Sequence, residues 1–113
     1  MRIQLGYPDH QAERALLMGE DRRQLLRQLD AEITPHQLIK LQQTASHIAL
    51  SEALIDYVQA LLRYTRQSSQ FYNGLSPRAG LGLIQAARAW AMISGRDFVL
   101  PEDVQAVFPS IVQ

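Results

Sequence analysis

Apolar positions along the chain recur mostly at intervals of three and four, the repeat of an amphipathic helix, and seldom alternate. Ala12, Ala15 and Leu16 open the pattern, with Pro8 predicting a helix start and Gly19 its end. Leu38, Leu41, Ala45 and Ile48 form a second stripe behind a stronger start. There Thr34 can cap, Pro35 suits the first helical position and Gln37 completes a capping-box pattern. Ser51 caps a third helix predicted from about Glu52 to Arg66. Leu54, Val58, Leu61, Leu62 and Thr65 make one face of it, and Ala53, Tyr57, Ala60 and Tyr64 an adjoining one. Glu52, Asp56, Gln59, Arg63 and Arg66 are left for solvent. Ser76 and Pro77 then open a helix whose apolar run, Leu81 to Ile93, ends at Gly95, a usual residue just past a helix end. Its core face carries Leu83, Ile84, Ala87, Trp90 and Ala91. Pro101-Glu102-Asp103 starts a short last helix, with Val104 and Val107 inward and Phe108-Pro109 as its end.

The intervening stretches are less regular. Residues 1–7 alternate and break at Gly6, with Tyr7 placed to fold back on the first helix. They read as a linker or strand remnant whose sheet lies elsewhere, or else as a loosely ordered end. Residues 20–33 are charged; Leu25, Leu26 and Leu29 suggest a helical turn or two, but without a clear cap the stretch reads as an irregular connection. Gln67 to Leu75 is polar, with Asn73-Gly74 as a turn signal. Phe98 and Val99 are extended and can pair with Ile48 to Leu50 as a tiny two-stranded patch. The fold predicted for residues 8–113 is all-α: a small bundle of four main helices plus a short C-terminal helix. Leu41, Leu54, Val58, Leu61, Leu83, Ile84, Ala87 and Trp90 are its expected core.

Two features of the Ser76 helix stand out. Gly80 and Gly82 each cost roughly 1 kcal/mol relative to alanine inside a helix. Together they imply a close backbone approach, by a crossing helix in preference to a ligand. Arg78 sits in the first turn, where the helix dipole favours anions. It either pairs with a carboxylate such as Glu13 or faces an anion brought by another body.

Composition narrows the chemistry. A chain of 113 residues, 47% hydrophobic, is one domain. Eleven basic and 11 acidic residues cancel, which offers no overall field for nucleic acid or an acidic membrane surface. Cysteine is absent, no run approaches the ~20 apolar residues of a membrane span, and no signal peptide is evident. A soluble, cytoplasmic domain is the expectation. Lys40 is the one lysine and has no glycine-rich loop, so no P-loop is present. His10, His36 and His47 lack the spacing of a helical zinc site, and no metal site is predicted. Glu52 and Asp56 lie on a solvent face. Arg22, Arg23 and Arg27 are offset by Glu20, Asp21, Asp30 and Glu32, as on a solvated surface.

The motifs Gly6-Tyr7-Pro8 with Glu13 after it, Ser76-Pro77-Arg78-Ala79, Ala86-Ala87-Arg88-Ala89, Gly95-Arg96-Asp97 and Pro101-Glu102-Asp103-Val104 occur in an order and spacing that resembles the C-terminal part of MoxR-type AAA+ ATPases. The resemblance spans essentially the whole chain. It implies an all-helical lid that follows a nucleotide-binding α/β core. By that match Arg78 is the sensor-2 arginine, which reaches the nucleotide's terminal phosphate from the start formed by Ser76 and Pro77. Tyr7 and Pro8 fall at the core–lid junction beside the adenine pocket. The implied cofactors are ATP and Mg, bound through a core domain upstream of Met1 and not by this fragment alone. The implied assembly is a hexameric, chaperone-like motor that matures or activates partner complexes, with its client unspecified. Leu100 departs from the pattern, standing where a capping Thr or Ser is expected. The alternative is a free-standing helical interaction module with no nucleotide role, and a P-loop encoded upstream of Met1 discriminates between the two. A helical DNA-binding domain is disfavoured by zero net charge and the lack of a basic recognition helix.

Overall fold

A computed structural model describes residues 3–19 and 21–112. Met1 and Arg2 of the N-terminal segment and Glu20 of the charged run lie outside them, as does Gln113. The described residues form six helices: α1 (His10–Met18), α2 (Arg22–Gln28), α3 (Pro35–Ser46), α4 (Glu52–Gln67), α5 (Pro77–Ile93) and α6 (Pro101–Ile111). The fold is all-α. None of the helices is long and apolar enough to cross a membrane.

Most predicted starts hold. Thr34 and Gln37 make a reciprocal capping box, with Gln37 N–H on Thr34 Oγ1 at 3.1 Å and Thr34 N–H on Gln37 Oε1 at 2.8 Å. Ser51 Oγ accepts the Leu54 N–H at 3.1 Å. Two starts differ from expectation. Pro8 does not open α1; Asp9 does, its carboxylate accepting the Ala12 N–H at 2.7 Å. Residues 20–33 are not wholly irregular either. Asp21, read as one charge among many, accepts the Arg23 N–H at 3.0 Å and caps α2.

Helix α5 is the hub, packing on α3, α4 and α6, while α4 also touches α6. Its inward face is Gly80, Leu83, Ala87 and Ala91, and small residues there let the neighbours come close. Ile48, Leu54, Val58, Val99 and Val104 complete the buried core. Leu61 and Ile84 are partly buried against it. Two residues expected in the core are outside it: Leu41 is 43% exposed and Trp90 47%. Helix α3 meets only α5 and buries no residue of its own, so its stripe is covered only near Ala45 and at Ile48 beyond its end. Trp90 lies beside the line of small residues and stays about half exposed, as so large a side chain is seldom fully engulfed.

The turn from α5 to α6 accounts for two of the sequence motifs. Gly95 has φ +80° and closes a Schellman end: Arg96 N–H bonds Ala91 O at 3.0 Å and Gly95 N–H bonds Met92 O at 3.0 Å. Arg96 then pairs with Asp103, which is 2% exposed. The other Asp103 oxygen accepts the Leu100 N–H at 2.8 Å. Leu100 has no side-chain oxygen with which to cap, and Asp103, three residues on, satisfies its backbone instead. Between these points Ala49 and Phe98 form the expected patch as one parallel bridge. Ala49 N–H donates to Asp97 O at 2.9 Å, and Val99 N–H donates to Ala49 O at 3.0 Å. Arg88 Nε donates to Ile48 O at 3.1 Å, tying α5 to the same strip. Helix α6 does not stop at Phe108-Pro109 but runs on to Ile111. Pro109 lies in the last turn on an exposed side, where the carbonyl it leaves free is not sealed from water.

The N-terminal third stands apart. Helices α1 and α2 bury no residue and pack on no other helix. Tyr7, expected to fold back on α1, is 102% exposed. The radius of gyration is 18.9 Å, against about 13 Å for a compact chain of this length.

Candidate functional site

The start of α5 is held from behind by the end of α4. Thr65, buried on the apolar face, donates its hydroxyl to Leu62 O at 2.7 Å and accepts the Leu75 N–H at 3.0 Å. Arg66 Nε donates to Leu75 O at 2.9 Å. Both polar groups of the Leu75 peptide backbone are therefore fixed one residue before the cap. Gly74 lies against Arg66 so closely that a Cβ there would sit 2.7 Å from Arg66 Cα, which excludes any side chain. Phe71 anchors the other end of the connection, meeting Tyr64 edge-on with ring centroids 6.1 Å apart.

From this support the helix starts as its sequence predicts. Ser76 Oγ accepts the Ala79 N–H at 3.1 Å, and Pro77 occupies the first position. Arg78 follows, exposed. Among the described residues the one ion pair is Arg96–Asp103, so neither Glu13 nor any other carboxylate partners Arg78. The N–H of Arg78 has no acceptor within its helix, as for any residue of a first turn. An uncompensated guanidinium and a free N–H thus stand at the positive end of a 17-residue helix, a donor set suited to a phosphate or carboxylate. Beside it, a cleft of about 330 Å³ between α4 and α5 has an apolar floor that includes Leu62, Gly80 and Ile84, with Arg63 and Arg66 also lining it.

Gly80 accounts for the tight crossing: a Cβ there would meet Leu62 Cδ1 at 2.7 Å. Gly82 does not share that role. Nothing lies within 4 Å of its added Cβ, because it points away from α4.

Ser76, Pro77 and Arg78 are thus together, while Tyr7 and Pro8 are not joined to them. They precede α1, which packs on neither α4 nor α5. Sequence reasoning missed the parts that hold the site. Arg66 was read as a solvent charge, and it is exposed, yet its Nε orders Leu75. Asp103 was read only as part of the start of the last helix and is also the buried partner of Arg96. The available signal was the placing of Thr65, a polar residue in an apolar stripe.

The same region is where known proteins match. A family profile described as an AAA lid domain matches residues 63–113, from the last turn of α4 through α6. The chaperone MoxR1 of Mycobacterium tuberculosis is 35% identical over an alignment that covers 99% of this chain and 32% of that protein. A solved structure from Cytophaga hutchinsonii, provisionally named an ATPase, superposes with a TM-score of 0.75 at 26% identity over 95% of this chain and 35% of that one. The chain carries an AAA lid domain and resembles the MoxR-type AAA+ ATPases along nearly its whole length. YeaC, an uncharacterised protein of Bacillus subtilis, is 28% identical over 96% of this lid and 34% of its own length. The lid therefore spans about a third of the relatives it matches.

Proposed function

We propose that this lid serves a chaperone-like AAA+ ATPase by presenting Arg78, as its sensor-2 arginine, to the terminal phosphate of ATP held with Mg by a separate core domain. The observation that carries the reading is the Arg78 guanidinium, without a carboxylate partner among the described residues, at a rigidly supported helix start. The residues present fit such a group: Arg78 supplies two parallel N–H donors, its backbone N–H is free, and the α5 dipole adds to both. ATP supplies the phosphoryl group that is transferred. This chain's part is to orient Arg78 and to stabilise charge that develops on the phosphate. Tyr7 and Pro8 reach the adenine side of the same nucleotide once the core orders the N-terminal segment. Helices α1 and α2, with the C-cap of α2, support that partner, since Leu16, Leu17, Met18, Leu26 and Leu29 are exposed and none of the other described residues covers them. Assembly as a cytoplasmic hexamer that matures partner complexes completes the proposal.

The test is turnover in the full-length ATPase that carries this lid. Losing a charge aimed at the transferring phosphate removes a few kcal/mol of transition-state stabilisation, so Arg78→Ala should lower turnover on the order of a hundredfold or more. Arg78→Lys should restore only part of it, because an ammonium lacks the planar fork. Thermal melting should be unchanged in both, since Arg78 is exposed. Turnover near wild type would reduce Arg78 to a surface charge. Joint loss of turnover and melting temperature would make its role structural.

A further inference from the structure

The connection between α4 and α5 carries a reactive dipeptide. Asn73 is the only asparagine in the chain and is followed by Gly74. With no Cβ on the following residue, the backbone nitrogen can approach the asparagine amide carbon unhindered. Among the described residues no hydrogen bond ties up either reacting group. Asn73 is exposed, its side-chain amide makes no hydrogen bond among the described residues, and the Gly74 N–H is bonded to nothing there. The stretch lies outside every helix, so no helical backbone has to unwind for the approach.

We propose that Asn73 is a site of spontaneous deamidation whose isoaspartyl product displaces the start of α5. In the first step the Gly74 nitrogen attacks Asn73 Cγ. A C–N bond forms, the Asn73 Nδ2 leaves as ammonia with the proton released from Gly74, and a cyclic imide results. Solvent water then opens the ring. Cleavage of the new bond yields aspartate at position 73. Cleavage of the original peptide bond yields isoaspartate, in which the chain runs through Cβ and Cγ and one more methylene separates residue 73 from Gly74. No electrons are exchanged, and water is the only co-reactant.

That extra atom enters where the chain has no slack. Gly74 is against Arg66, and the Leu75 N–H and carbonyl are held by Thr65 and Arg66. Phe71 is fixed on Tyr64 just upstream. A lengthened backbone between these anchors breaks the Leu75 bonds to α4 and moves Ser76 to Arg78 with them. Both ring-opened products also place a carboxylate a few residues from Arg78.

The 113-residue chain is incubated at mildly alkaline pH, native and unfolded in urea, and digested at arginine. The peptide Gln67–Arg78 is followed by mass and by isoaspartyl methyltransferase labelling. Leu75 amide exchange is read by NMR in fresh and aged protein. The native chain is expected to gain the amide-to-acid mass in that peptide, with most product labelled as isoaspartyl. Aged protein should lose the exchange protection of the Leu75 amide, and Asn73→Gln should keep both its mass and that protection. A native chain that stays amidated while the urea sample converts would overturn the proposal. So would an isoaspartyl product with Leu75 as protected as before. None of these readouts depends on nucleotide, so failure here leaves the role of Arg78 open, and failure of that role leaves this result intact.

Discussion

Helices α1 and α4 begin alike. Each has a side-chain oxygen capping its first turn, from Asp9 in one and Ser51 in the other, and each carries a glutamate in that turn. Both show apolar residues at helical spacing. Yet α4 buries Leu54, Val58 and Thr65, whereas α1 buries nothing, and α2 is in the same state as α1. Local chemistry is enough to say where a helix begins. Whether that helix contributes stability depends on a neighbour, and helices as short as the nine residues of α1 and seven of α2 are marginal in water without one. In this lid α3–α6 is a folded body, and α1–α2 is an arm with its apolar side uncovered.

Hydrogen exchange should expose the contrast most strongly. Amides of α5 are expected to open only with global unfolding, while those of α1 and α2 open at nearly no cost. The gap should be on the order of 5 kcal/mol or more. Protection of α1 equal to that of α5 would mean that the arm has found a partner in solution, and dilution would then remove it. A pair of leucines tests the same division by mutation. Leu83→Ala, at a fully buried position, should lower stability by about 2–5 kcal/mol, whereas Leu26→Ala in α2 should stay within about 0.5 kcal/mol. Denaturant melts of the two variants check this, and equal losses would erase the distinction between body and arm. The smallest effect sharpens the picture inside the body. Gly82→Ala has open space around it and should add roughly 0.5–1 kcal/mol through helix propensity alone. Gly80→Ala gains the same propensity but must push Leu62 aside, and should come out neutral or worse. The order of their melting temperatures decides whether the α4–α5 crossing is as tight as described.

What could be read from the sequence follows a similar line. The Thr34–Gln37 box, the Ser51 and Ser76 caps, Pro77 and the Gly95 turn were all legible, because each is complete within a few residues. Arg78 was singled out by the same local logic, as a cation at the wrong end of a dipole. Leu41 and Trp90 were misplaced because exposure depends on which helix lies opposite, and spacing does not contain that. The clamp on Leu75 joins positions ten apart, and Arg88 reaches a carbonyl forty positions back. No periodicity marks either. Asp21 was hidden by its company: in a run of charges, one carboxylate that caps looks like all the rest.

The corner from Ser94 to Leu100 has a further consequence, for how this lid tolerates insertions and deletions. Gly95 must make the turn, Arg96 must reach Asp103, Asp97 and Val99 must straddle Ala49, and the Leu100 N–H must meet Asp103. Each residue has a separate task at a set position along the stretch, so adding or removing one puts every later residue out of step. The corner is a ruler of fixed length. The connection from Leu29 to Ile33 has no such tasks and can vary in length at little expense to the fold. Length variation among lids of this kind should therefore gather on the N-terminal side of Thr34 and be absent between α5 and α6.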